Sequence, residues 1–305
     1  MRFFPIVAYS SAAALAVAAA PATANAPFWG EPGHRLIGDA AAAALPEQMP
    51  KFFRDARAQL AYLNPEPDRW RDRAEIRLDS ALNDFQAPEH FIDLELVPGN
   101  ALNARNRYVF IDSLQAHGLK TATTGFLPYR ILELTQTLRV EWRLWRAEKD
   151  STVKRMIEQR IINDAGILGH YVGDGSNPHH TTMNHDKWVS PENPKGFTTT
   201  GGFHGRFESR YVETHMTAAD VQPLVMKTTP RVISPVRDGI WAYIQTTFGQ
   251  LDRLYTLDQA EPFGPDTKGA EHRQFTAERL AAGATMLRDI WWTAYVTSGP
   301  EIGKP

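Results

Sequence analysis

Cysteine is absent from the 305 residues of this chain. That absence removes disulfides as a source of stability and thiolates as metal ligands, so any metal held by side chains falls to His, Asp and Glu. Alternating apolar and polar runs, the mark of half-buried strands, are scarce, which weighs against a sheet-based core. No block of like charge stands out: 33 Lys and Arg against 35 Asp and Glu give a formal net charge of -2, and the basic residues are spread along the chain. A broad basic face for duplex nucleic acid is thereby disfavoured, whereas a small local funnel for a single strand is not. Low-complexity linkers and internal repeats are missing too.

The long apolar stretch lies at the start. Arg2 precedes an alanine-rich run from Phe3 to Ala20, and Ala22-Thr23-Ala24 and Ala24-Asn25-Ala26 both carry the small-x-small pattern of a cleavage site. Residues 1–24 therefore read as a signal peptide, with a cut after Ala26 as the second option, because Pro27 would then follow the cut directly. This reading implies a secreted or periplasmic protein with no integral membrane segment once the signal is removed. Residues 25–305 then form one domain of about 280 residues.

Apolar residues recur at spacings of three and four over Leu36–Leu45, Phe52–Leu63, Ile131–Trp145, Val153–Val172, Val232–Leu254 and Phe275–Val296, which predicts helices. Pro and Gly gather between them, at Asn64–Pro67, Pro98-Gly99, Ser190–Gly202 and Pro262–Gly269, and mark loops. The expected fold class is all-α: a single, mostly helical domain with long loops around the site, and with room for a small hairpin in the Thr181–Phe203 connection. Gly166, Gly169 and Gly173 recur at helical spacing and permit close approach of another helix or of a metal.

Within this frame several residues have the chemistry of a multi-metal site. A helix places positions four apart on one face, so His170 with Asp174, and His204 with Glu208, each aim an imidazole and a carboxylate at one point. Gly175 and Pro178 end the first of these helices and allow His180 to return toward it, and His90 supplies a further imidazole. Imidazole plus carboxylate suits zinc, and zinc suits ester hydrolysis, because a bound cation lowers the pKa of its water toward about 7.

The ordered fragments Trp29-Gly30-Glu31-Pro32-Gly33-His34, Pro67-Asp68-Arg69-Trp70-Arg71, His90-Phe91-Ile92-Asp93, His170 to His180, and His204 with Glu208 carry a resemblance. The chain resembles the superfamily of fungal and plant single-strand-specific zinc nucleases and bacterial zinc-dependent phospholipase C. The resemblance implies a helical fold holding three zinc ions. Asp68, His90, His170 and Asp174 would hold the first, His180, His204 and Glu208 the second, and His34 with Asp174 and the backbone of Trp29 the third. Asp72 and Asp79 remain rivals to Asp68 for the loop carboxylate, because the interval from Asp68 to His90 is long for the family. Asp68 would also orient or deprotonate the attacking water, and Arg71 would bind the phosphate.

On substrate the resemblance divides. Phe91 and Asp93 match the positions that stack on a base and accept from its edge in the nucleases, whereas Glu208 and the segment from Gly202 to Glu208 match the phospholipase branch. The expectation is a zinc-dependent phosphodiesterase acting on single-stranded nucleic acid, with a phospholipase C acting on phospholipid head groups as the alternative. A non-catalytic zinc-binding scaffold stands third, and the oligomeric state is left open.

Overall fold

The computed structural model describes residues 30–299; the expected signal peptide and Trp29 lie outside them. The described residues are helical and contain no strand, only an isolated antiparallel bridge between Ile92 and Gly125. We label the helices that frame the site α1 (Glu31–Ala43), α2 (Arg57–Leu63), α3 (Leu127–Ala147), α4 (Ser151–Asp174), α5 (Ala218–Met226), α6 (Val236–Phe248) and α7 (Ala270–Val296). Among the described residues no helix is long and apolar enough to cross a membrane.

α4 is the axis of the molecule. It begins where the Asp150 carboxylate accepts from the amides of Thr152 and Val153, at 2.7 and 3.0 Å, so its first turn is capped by a side chain. At 1.5 Å per residue its 24 residues span about 36 Å. α1, α2, α3 and α7 all pack against it. Its first half is amphipathic, while every residue from Ala165 to Asp174 is buried. Whatever polar groups sit in that last stretch must therefore find their partners inside the protein.

The core is built from Ile37 and Ala41 of α1, Leu168 and Val172 of α4, and Leu287, Ile290 and Trp291 of α7. Trp291 donates to the Ala165 carbonyl at 3.1 Å, which pins α7 to the middle of α4. Asp39 accepts two hydrogen bonds from Arg57 (2.6 and 2.7 Å) and one from Gln222 (2.7 Å), joining α1, α2 and α5. Arg288, fully buried on α7, donates to both the carbonyl and the hydroxyl of Thr228 at 2.9 Å, closing the chain just beyond the C-terminal end of α5.

Two expected helices are interrupted. Phe52–Leu63 divides at Ala56, between a short helix over Lys51–Asp55 and α2. Val232–Leu254 is not one helix: residues 232–235 are irregular and contain a cis Ser234-Pro235 bond, α6 ends at Phe248, and a new helix runs Leu251–Ala260. The apolar spacing continues across both breaks, but Pro235 cannot enter a helix interior and Gly249 ends one. Asn64–Pro67 is also tighter than a loop, with a helical turn over Glu66–Arg69. The Thr181–Phe203 connection holds no hairpin; Asn184 organises it instead, its side-chain oxygen accepting from the amides of Val189 and Ser190.

Away from the site, Glu141 of α3 is buried with only Arg160 donating to it, at 2.9 Å, while its other oxygen has no hydrogen-bond partner. Burial, then the neighbouring Asp164 charge, pushes its pKa from 4.5 up to about 7. The folded protein thus retains a proton that the unfolded chain loses, and stability falls as pH rises from 4.5 to 7. Glu141→Gln is expected to match the parent near pH 4 and exceed its stability by about 1 to 3 kcal/mol at pH 8, measured by urea unfolding. Equal stabilities at pH 8 would contradict this account.

Candidate metal centre

The last turns of α4 carry His170 and Asp174 on one face, both fully buried. His34 of α1 stacks on His170, with ring centroids 3.9 Å apart. His90 closes a 3-10 turn over Ala87–His90, and His180 lies in a second such turn over Pro178–Thr181, which Asn177 caps by accepting from the His179 amide at 3.1 Å. Phe203–Gly205 begins the remaining helix, which widens to a π-helix over Arg206–Tyr211. His204 and Glu208 sit across that change of pitch, a helical irregularity common at functional sites.

Two groups of ligand atoms converge. In the first, His170 Nε2 lies 2.9 Å from His90 Nδ1 and 3.3 Å from Asp174 Oδ2, and His90 Nδ1 lies 3.1 Å from that same oxygen. In the second, His204 Nε2 is 3.2 Å from His180 Nε2 and 2.8 Å from Glu208 Oε2, and His180 Nε2 is 3.4 Å from that oxygen. Donors about 2.0–2.1 Å from a tetrahedral cation stand roughly 3.3 Å from one another. Both groups have that separation. They are linked by Asp174, whose Oδ1 lies 3.5 Å from His180 Nδ1 and 3.5 Å from His34 Nε2.

The electrostatics point the same way. Burial drives His90 and His170 well below the ordinary histidine range, and takes His34 and His204 down to about 3. These rings are thus neutral, the form that binds metals. Burial, reinforced by the charges of Asp68 and Glu208, pushes Asp174 well above the carboxylate range, and burial takes Glu208 to about 7 against the donors His180 and Asn177. Oxygens of Asp68, Asp174 and Glu208 face the interior without a hydrogen-bond donor. Neutral imidazoles and carboxylates in excess of donors are an environment that a cation would compensate. Three buried or part-buried groups could hold one: His90, His170 and Asp174; His180, His204 and Glu208; and His34, Asp68 and His170.

The third group shares His170 with the first, and His170 Nδ1 is already committed to the Asn64 carbonyl at 3.0 Å. Only Nε2 remains for a metal, so the described residues supply two separate trios rather than three. Trp29, expected to complete a third site, lies outside the described residues; His34 and Asp174 are in place for it.

Outer contacts fix the rings. His170 Nδ1 is held by Asn64 as above, and His180 Nδ1 donates to the His90 carbonyl at 2.7 Å, leaving each Nε2 for the site. Asn177 Nδ2 donates to Glu208 Oε2 at 2.9 Å. Asn64 reaches His170 because α4 carries glycine where α2 approaches: a methyl group at Gly166 would stand 2.4 Å from Leu63 Cβ, and one at Gly169 would stand 2.1 Å from Asn64 Nδ2. The expected close approach of another helix is therefore present. Gly169→Ala gains about 1 kcal/mol of helix propensity, but overpacking costs about 1 to 3 kcal/mol and displaces Asn64. The expected outcome is a lower Tm together with metal affinity weakened by roughly 10- to 100-fold; calorimetry and metal titration check it, and unchanged metal affinity would rule out the Asn64 contact as a positioning device.

Of the loop carboxylates, Asp68 is the one at the cluster, with Oδ1 3.7 Å from His170 Nε2 and 4.0 Å from His90 Nδ1. Its side chain retains 23% exposure, so it marks the side open to solvent. Asp72 instead caps a short helix by accepting from the amides of Ala74 and Glu75, and Asp79 accepts from the Ala81 amide. Arg71 is half-buried, with Asn83 Oδ1 3.4 Å away, and its charge acts on Asp68 and Asp174. Phe91 and Asp93 lie on extended backbone and so share a face, while Ile92 between them is buried in the core. Asp93 is buried, Oδ1 has no hydrogen-bond partner, and burial with the Glu95 charge raises it to about 7.

His179 is buried against Phe203, Phe207 and Tyr255, and His185 lies beside His204 with ring centroids 6.0 Å apart; neither belongs to a ligand trio. His117, His215 and His272 are bonded to main-chain carbonyls away from the cluster. Asn64 and Asn177 were not singled out in the sequence. Asn64 acts through its carbonyl, which leaves no side-chain signature, whereas Asn177 had one readable sign, its place before Pro178 at the turn. Compared with family models, curated proteins and solved structures, the chain matches none.

Proposed function

We propose that this chain is a secreted or periplasmic zinc-dependent hydrolase of phosphate esters, and specifically a phosphodiesterase acting on single-stranded nucleic acid. The observation that carries the reading is the pair of ligand trios joined by Asp174, whose two oxygens face different imidazoles. When bound, paired divalent cations lower the pKa of a water toward about 7 and polarise phosphoryl oxygens. The mixed nitrogen and oxygen donors suit zinc.

The chain's own groups supply the rest. Asp68, whose unpartnered Oδ1 faces the imidazoles of the first trio, accepts a proton from the incoming water or orients it. Arg71 offers a planar set of donors beside that carboxylate for the charge that develops on phosphorus. Phe91 and Asp93, on one face, supply a stacking surface and a buried acceptor for a base edge. The chemistry fits an open hydrolytic site better than a closed structural one, because the Asp68 side chain beside the first trio keeps part of its surface exposed.

Phospholipid head groups are the second substrate reading. It draws on Glu208 and on three exposed apolar side chains, Trp70, Leu78 and Phe85, that follow Asp68 in the chain. The deciding assay offers the purified mature protein single-stranded DNA, RNA and phosphatidylcholine in parallel, with and without a chelator. Chelator-sensitive cleavage of the nucleic acids is expected; preference for phosphatidylcholine would transfer the assignment to a phospholipase C, and metal-loaded protein inert on all three would leave a scaffold. In the same assay Arg71→Met is expected to lower kcat/KM by about 100- to 1000-fold with metal content unchanged. Unaltered kcat/KM would remove Arg71 from the machinery.

A further inference from the structure

A cleft of about 710 Å³ opens between α6, α7 and the Thr228–Ile233 segment, well within the usual range of small-molecule sites. Small side chains give it depth: Gly239 and Ala242 on one side, Ala281 and Ala282 on the other, with Val232 and Met286 adding apolar surface. Tyr243 forms part of its lining, and its hydroxyl donates to the Val172 carbonyl at 2.7 Å, on α4 between His170 and Asp174. This wall belongs to none of the ligand trios.

Three charged residues line the cleft, and two are already engaged. Arg231 donates from its amide and its Nε to Asp289, at 3.2 and 3.3 Å. Glu278 accepts from Arg253 at 2.8 Å and from Gln274 at 2.9 Å. Arg279 differs from both. Its buried Nε has no hydrogen-bond partner, and the Phe275 ring lies 5.9 Å from the guanidinium carbon. Burial lowers its pKa against the opposing pull of Tyr243 and of Glu278, a carboxylate that Arg253 also claims.

We infer that this cleft is a second ligand site, which takes a carboxylate carrying an apolar chain. A guanidinium fork matches a carboxylate in shape and charge, and the alanine and glycine walls accept the chain. Arg279, with its Nε free to donate, suits a monoanion, whereas a phosphomonoester dianion would bring a second negative charge beside Glu278. The occupant lies one side chain from the ligand-bearing helix, through Tyr243.

The test is calorimetric titration of the metal-loaded full chain with decanoate, decanol and acetate, each below its aggregation threshold. Saturable one-to-one binding of decanoate is expected, with decanol and acetate weaker by about tenfold or more. Arg279→Met, which keeps the alkyl stem, and Ala282→Phe, which fills the cleft, should each weaken decanoate by about tenfold or more. Absence of saturable binding, or equal binding of decanol, would overturn the site without reference to any variant. Decanoate binding unmoved by both substitutions would also overturn it, because a carboxylate captured at the metal trios is indifferent to Arg279. None of these readouts depends on hydrolysis, so the site and the proposed activity fail separately.

Discussion

Stripping divalent metal from the purified protein is expected to lower its Tm by roughly 10 °C. A ligand held at a thousand times its Kd stabilises the folded state by about 4 kcal/mol, and a chain of this size shifts by about 2 to 4 °C per kcal/mol. The structural basis is the set of buried carboxylate oxygens of Asp174 and Glu208 that no donor satisfies, enclosed by imidazoles that burial keeps neutral. With the cation gone, each must take up a proton or remain charged in the interior. Scanning calorimetry before and after a chelator, with metal added back, checks the effect. A Tm that does not move, in protein that metal analysis shows to be metal-free as purified, would leave the cluster as an uncompensated polar core and end the metal-centre reading.

Asp174→Asn should have the larger effect on activity. Asp174 lies within 3.5 Å of nitrogens on His34, His90, His170 and His180, and its two oxygens serve different neighbours. Asparagine keeps the shape and removes the charge. Loss of at least one metal ion per chain is expected, with hydrolysis reduced on the order of a thousandfold or more. A second sign separates this from simple damage to the fold: in chelator, the Asn variant should be more stable than the chelated parent, because the buried charge is gone. A variant with full metal content and full activity would refute the bridging role.

Much of this site was legible because its signal is local. His170 with Asp174 and His204 with Glu208 are helical pairs four residues apart, and both trios form around them. The helices themselves were visible wherever the apolar period ran uninterrupted, as in α4 and α7. The misread stretches have a shared cause. Across Ala56 and Gly249 the apolar period continues although the backbone does not, so a period alone cannot locate the break. The Asn184 network stands where the sequence leaves room for a hairpin in the Thr181–Phe203 connection, and it comes from hydrogen bonds between the Asn184 side chain and amides five and six residues on, a pattern with no periodicity. Asn64 carries no sequence signal for a third reason: its contribution is a carbonyl oxygen, which every residue has, placed by glycines on another helix.

The change of pitch over Arg206–Tyr211 carries a consequence for how this chain tolerates change in length. A π turn accommodates one residue more than the α turn it replaces, and one residue rotates everything beyond it by about 100°. Shortening the segment by a single position would therefore swing either Glu208 away from His204 or the Tyr211–His215 stretch off the body of the protein. Deletions here are costly out of proportion to their size, while the neighbouring Ser190–Gly202 loop, held by side chains rather than by a helical ladder, is the place where this region can lengthen or shorten without disturbing the ligands.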